Sequence, residues 1–369
     1  MNMNFFAPVN IVTGKGCIGK NTDEFKKYGK KCIIVTGKYG AKSSGALGDV
    51  VLALESVGTE YIIFDRIEQN PSYASCKEAA EMAKESGAEF VVGIGGGSAL
   101  DAAKAIAVLT ASADTSAKTL YSMDWDREPL PIIAVGTTAG TGSEVTPVSV
   151  ITTPEGMKKS FRAPSLYPVT AFGDATYTMS MSADFTRSTA LDALCHCMES
   201  YFNRSANDIS RTFAVRGVEI LVRMLEKTVT CDTVPLTFDE REEIYCASLY
   251  GGLAISVTGT AFAHALGYFL SEQYNICHGN ACAVYLEEFI NYNAEVAPDE
   301  ADGFFAKIGC DKDTLINLIR KNLPDTEIKL TPEKINELAP RYEDNKSMKK
   351  CYGNADREFA VKLLNKMFV

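Results

Sequence analysis

The chain has 369 residues, 46% of them hydrophobic, which is ample core material for two domains without covalent staples. Its formal net charge of −10, with no clustered Lys/Arg run, argues against nucleic acid or an anionic membrane as partner and leaves small molecules as the expected ligands. The eleven cysteines are odd in number and scattered through apolar or helical patterns, as in a reduced, cytoplasmic protein rather than a disulfide framework.

In chain order, the N-terminus lacks a basic region followed by an apolar run, and no stretch reaches the roughly eighteen apolar residues of a membrane span, so a soluble, untargeted chain is expected. Residues 32–36 read as a buried strand ending at Gly37, and 46–56 follow with helical spacing. A second cycle runs through 61–64, Asn70-Pro71 and 76–85. A third has strand 89–94, the turn Gly95-Gly96-Gly97-Ser98 and helix 99–109. Three alternations of strand and helix predict a parallel sheet with right-handed crossovers, the architecture of nucleotide-binding domains. Residues 131–135 give another strand, which runs into a small, polar loop at 136–144; β-rich pieces follow at 148–152 and 169–172. From about Ser180 the segments become long and helix-compatible, with polar breaks near 203–205, 231–237 and 297–299. We therefore place a domain boundary near 176, with an α/β domain over 1–176 and a helix-rich domain over 177–369, which the resemblance drawn below makes the dinucleotide-binding and the all-helical metal and catalytic domains.

Two patterns carry chemistry. The glycines at 95–97 sit between a strand and a helix start, where bare backbone lets amide N–H groups approach a pyrophosphate and the helix N-terminus adds favourable partial charge. A plain turn needing positive φ would explain them equally well, and Thr137, Thr138 and Thr141 could hold a nucleotide or cap a helix. The chain has three histidines. Asp192 and His196 are four apart in a run free of Gly and Pro, so on a helix they form a chelating pair. His264 and His278 could face that pair across a bundle, and one carboxylate with three imidazoles suits Fe(II) or Zn(II).

In this order the motifs resemble the iron-containing (group III) alcohol dehydrogenases: the Gly95-Gly96-Gly97-Ser98 turn with Asp101 and Lys104, the 137–144 loop, the 192–196 helix, the His278-Gly279 site and the closing Gly353-Asn354-Ala355-Asp356-Arg357. The resemblance implies a dehydroquinate synthase-like fold, an α/β nucleotide-binding domain with a parallel sheet plus an all-α metal-binding domain. It implies that Asp192, His196, His264 and His278 are both the metal ligands, for Fe(2+) or Zn(2+), and the catalytic residues. Gly95, Gly96, Gly97 and Ser98 match its pyrophosphate turn, Thr137, Thr138 and Thr141 its nucleotide loop, Asn70 its Asn-Pro near the cofactor, and Lys159, or else Lys158, its ribose-binding lysine. Three positions depart from the family pattern. Tyr268 stands where many members have a further histidine, Gly136 where proline precedes the Thr-Thr, and Ala175 where proline follows Asp174.

The resemblance further implies hydride transfer between a nicotinamide cofactor and a small alcohol or aldehyde, positioned in a cleft between the two expected domains. Gly37 bears no carboxylate to repel a 2′-phosphate, and Lys38 and Lys42 lie nearby, so NADP(H) is expected over NAD(H); Asp65, after the next strand, could instead supply the missing charge. A dehydroquinate synthase-like lyase is the main rival, but it needs several cations for a phosphorylated substrate and 186–202 with 258–282 hold only Arg187. The same motifs would also suit a glycerol dehydrogenase-like enzyme using NAD or a non-catalytic nucleotide-binding scaffold, though a scaffold would leave four metal ligands without a purpose. A homodimer or higher homo-oligomer is expected.

Overall fold

The computed structural model describes residues 3–325 and 327–369, which fall into two compact units. One comprises Phe6–Met181 with Thr237–Gly252; the other comprises the described residues of Ser182–Leu236 and Leu253–Val369, with residues 3–5. The return of Thr237–Gly252 to the α/β unit has no counterpart in the division read at residue 176.

The α/β unit carries strands β1 (Asn10–Thr13), β2 (Lys31–Gly37), β3 (Glu60–Ile67), β4 (Phe90–Gly95), β5 (Ile132–Gly136), β6 (Val148–Thr152), β7 (Lys158–Arg162) and β8 (Thr170–Gly173). Six of them form one sheet in the order β1-β8-β5-β4-β2-β3, every neighbour parallel. β4 and β5 are buried along their whole length, as strands covered on both faces must be. Alternate residues of β2 feed opposite cores: Ile33 and Val35 pack with Val91 and Ile106, while Cys32 and Ile34 pack with Phe90 and Val92. The chain moves from β2 outward to β3, then returns to β4 on the other side of β2. The sheet therefore reverses direction between β2 and β4, and in open α/β sheets ligands bind beyond the strand ends at such a switch point. Those ends are Gly37 and Gly95.

β6 and β7 form a separate antiparallel ribbon. β7 (Lys-Lys-Ser-Phe-Arg) is too polar to read as a strand, and β1 is a four-residue edge strand held by its register with β8.

In the helical unit, Ala183–Tyr201 is buried from Thr186 onward except at Arg187, so it is a core helix rather than an amphipathic surface one. Ser182 caps it by accepting the Phe185 N–H at 3.2 Å. Among the described residues no single helix is long and apolar enough to cross a membrane, and all eleven cysteines are free thiols.

Candidate metal centre and nucleotide-binding turn

Asp192 and His196 lie one turn apart on Ala183–Tyr201; His264 is in the first turn of Phe262–Gln273, and His278 opens His278–Ala283. The last of these helices starts hard against the first because Gly279 has no side chain: a Cβ there would overlap the Ser188 carbonyl. The result is convergence. The Nε2 atoms of His196, His264 and His278 lie 4.0, 3.6 and 4.0 Å from Asp192 Oδ1.

Those separations are too long for hydrogen bonds, but they approach the ~3.4 Å between donors that sit about 2.1 Å from one tetrahedral ion. Asp192 Oδ1 and His264 Nε2 are buried without any hydrogen-bond partner, and orphaned polar atoms of this kind cost about 1–3 kcal/mol each. A divalent cation would satisfy both atoms, so the donor set fits one. Burial would raise the Asp192 pKa, but neighbouring His196, His264 and His278 hold the carboxyl well below the usual range. It is therefore an anion, as a ligand must be. The His278 side chain is 32% exposed, so the cluster is open on that side.

Sequence reasoning missed Glu199, which is fully buried on the same helix as the first pair. One carboxylate oxygen accepts the Ala261 and His264 amide N–H groups, both at 3.1 Å, and the other accepts His264 Nδ1–H. The second contact fixes the tautomer that presents the Nε2 lone pair to the cluster. The first places negative charge at a helix N-terminus that has no side-chain cap. The signal was available: Asp192, His196 and Glu199 follow i, i+4, i+7.

Cys282, also not singled out, is buried with its Sγ 3.8 and 3.9 Å from the two ring nitrogens of His278. Tyr268, at the position of the family's further histidine, stacks on His278 with ring centroids 5.8 Å apart and an interplanar angle of 9°. Arg187, the cation weighed for a lyase, is engaged by Asp184, Asp232 and the Thr228 carbonyl.

In the α/β unit the structure brings the glycine turn and the threonine loop together. Gly95 has φ +154°, and a Cβ at Gly96 or Gly97 would lie 2.8 Å from Thr138 Oγ1 or 2.9 Å from Thr141 Cγ2. The Thr137 N–H donates to the Gly95 carbonyl at 3.0 Å. Asn70, at φ +58°, donates its amide N–H to Ser98 Oγ at 3.3 Å. The helix Gly97–Ala111 starts at Gly96 with no side-chain cap, leaving its first amides for an anion. Lys159 lies on the antiparallel ribbon, with its ammonium 4.5 Å from the centre of the Tyr121 ring.

Beneath the turn, the fully buried Lys104 donates to Ser143 O at 2.8 Å, to Ser143 Oγ at 2.7 Å and to Val148 O at 2.7 Å, with Asp101 Oδ1 3.6 Å away. Asp101 accepts from Ser143 Oγ at 2.7 Å and from the Val150 N–H at 3.0 Å. Helix, threonine loop and β6 are thereby tied at one point, which accounts for two residues the resemblance marked without a role. Glu144, buried, accepts the Tyr245 hydroxyl at 2.7 Å; burial raises its pKa. Gly136 leaves room for that phenol, since a Cβ there would collide with the Tyr245 hydroxyl.

A family model described as "Iron-containing alcohol dehydrogenase" matches residues 8–175, and one described as "Fe-containing alcohol dehydrogenase family, C-terminal" matches 186–367. A lactaldehyde reductase of Escherichia coli (strain K12) is 32% identical over 286 residues, covering 76% of this chain and 73% of that protein. A 1,3-propanediol dehydrogenase of Citrobacter freundii is 31% identical over 311 residues, covering 81% and 76%. Among solved structures, an iron-containing alcohol dehydrogenase of Thermotoga maritima superposes with TM-score 0.91 at 32% identity, covering 100% of this chain and 99% of that one. A sulfoacetaldehyde reductase of Bifidobacterium kashiwanohense, in complex with NAD+, gives TM-score 0.87 at 26% identity with the same coverage.

Proposed function

The chain belongs to the iron-containing alcohol dehydrogenase family, and on that premise we propose that it interconverts a small aldehyde and its alcohol, with NADP(H) as hydride carrier, at a divalent metal held by Asp192, His196, His264 and His278. The observation that carries the reading is the convergence of three imidazoles on the buried, unpartnered Oδ1 of Asp192. Fe(II) or Zn(II) bound there supplies Lewis acidity for the substrate oxygen. Asp192 contributes the charge that makes the pocket selective for a cation, and Glu199 holds His264 in its donor tautomer. Tyr268 presents an aromatic wall beside His278 that favours a short, fairly apolar substrate. The amides of the glycine turn take the pyrophosphate, with Asn70, Thr137, Thr138 and Thr141 around it. The names of the lactaldehyde and propanediol relatives support short substrates. A homodimer or higher homo-oligomer in the cytoplasm completes the proposal.

The NADP(H) preference is supported by Gly37, which ends β2 beside the switch point without a carboxylate. The rival carboxylate, Asp65, is paired with Lys42 through Oδ2 at 2.6 Å, so its charge is offset and one of its oxygens is engaged. The test is stoichiometric oxidation of NADPH and of NADH across a panel of short aldehydes. We expect a higher kcat/KM with NADPH, and Lys42→Ala, which releases Asp65, to shift the ratio toward NADH by about tenfold, ~1.4 kcal/mol. A parent enzyme that prefers NADH contradicts the cofactor assignment. Absence of aldehyde-dependent oxidation with either cofactor contradicts the activity.

A further inference from the structure

We infer that Cys282 is an additional metal donor, its thiolate joining Asp192, His264 and His278 around the ion; this rests on the metal-centre reading above. One donor atom from each of these four residues lies within 4.8 Å of all the others. His278 and Cys282 stand four apart on His278–Ala283, the relation that Asp192 and His196 have on their own helix, so each helix offers a chelating pair from one face. The Cys282 Sγ lies within hydrogen-bonding reach of both ring nitrogens of His278 and also contacts the His264 ring, so it sits among the other donors rather than apart from them. A buried cysteine is ordinarily a small apolar filler, and Cys195 and Cys197 on Ala183–Tyr201 are equally buried. Cys282 differs from them in sharing that four-donor cluster with Asp192 and His264, whose orphaned polar atoms are each on a side chain more than nine-tenths buried. Ligation breaks the S–H bond, forms a sulfur–metal bond and releases the proton to solvent, with no change of oxidation state. A thiolate makes the donor set softer than one carboxylate and three imidazoles, and so favours Zn(II) over Fe(II) relative to a variant that lacks it.

The test is anoxic loading of the metal-stripped protein with Co(II), with absorption spectra of the parent, Cys282→Ser, Cys282→Ala and Cys277→Ser. We expect a thiolate-to-cobalt charge-transfer band in the near ultraviolet for the parent and for Cys277→Ser. The band should be absent from both Cys282 variants while the visible d–d bands of bound cobalt remain. Zinc-edge X-ray absorption of the parent needs no variant to fold, and should show a sulfur at about 2.3 Å. Cobalt bound by the parent with d–d bands and no charge-transfer band overturns the inference, as does a band that survives in both Cys282 variants. A parent that binds neither cobalt nor zinc overturns the metal-centre reading itself, and the inference with it.

Discussion

Glu199 shows how one buried side chain can serve two purposes, orienting His264 through Nδ1 while it caps Phe262–Gln273, the helix that carries that histidine. Glu199→Gln keeps the shape and loses the charge, so metal affinity should fall about 10–100-fold, measured by chelator competition. An unchanged affinity would mean that the carboxylate matters only as a cap. Glu144 gives a second prediction at this scale. Burial raises its folded-state pKa, so between the ordinary glutamate value and the raised one the native state holds a proton that the unfolded chain has lost. Stability contributed by that proton is present below the ordinary value and declines as pH rises through this window. Glu144→Gln, which can still accept from Tyr245, should flatten the decline in urea denaturation; an identical pH profile would count against it. That Asp192 and His196 share one helix face was legible from their spacing. Glu199 and Cys282 stand at equally helical intervals from known partners, but a carboxylate and a thiol inside otherwise apolar stretches read as ordinary core.

The approach of helices depends on a bare backbone at Gly279. Gly279→Ala should push His278–Ala283 off Ala183–Tyr201, costing about 1–3 kcal/mol and most of the bound metal, read by thermal unfolding and metal analysis. Full metal occupancy in that variant would show that the helices can separate without opening the cluster. Gly97→Ala meets Thr141 instead, so it should weaken nucleotide binding, measured by cofactor fluorescence, and leave metal content intact. The buried strands at 32–36, 89–94 and 131–135 were legible because apolar β-branched runs flanked by glycine have few other readings. β1 and β7 were not, since a four-residue edge strand and a Lys-Lys-Ser-Phe-Arg strand owe their form to partners distant in sequence. The convergence of three histidines from three helices is likewise tertiary; ligand chemistry raised it as a possibility and the family resemblance implied it, but no local period could fix it.

For the whole molecule, the glycine turn at 95–97 belongs to one compact unit and the Asp192–histidine cluster to the other. His264→Ala should therefore lose metal while retaining nucleotide binding and native circular dichroism, because each unit has its own core. Loss of both ligands together would mean that the histidine supports the fold as a whole. Turnover is expected to depend on an ion held by Asp192 and the three histidines. The most direct measurement of that dependence is aldehyde-dependent nicotinamide oxidation by chelator-stripped protein before and after anoxic return of Fe(II) or Zn(II), in the parent and in Asp192→Asn. We expect a silent stripped parent, restored by metal, and a variant that metal does not restore; undiminished turnover by stripped parent protein with no residual metal would contradict metal-dependent catalysis.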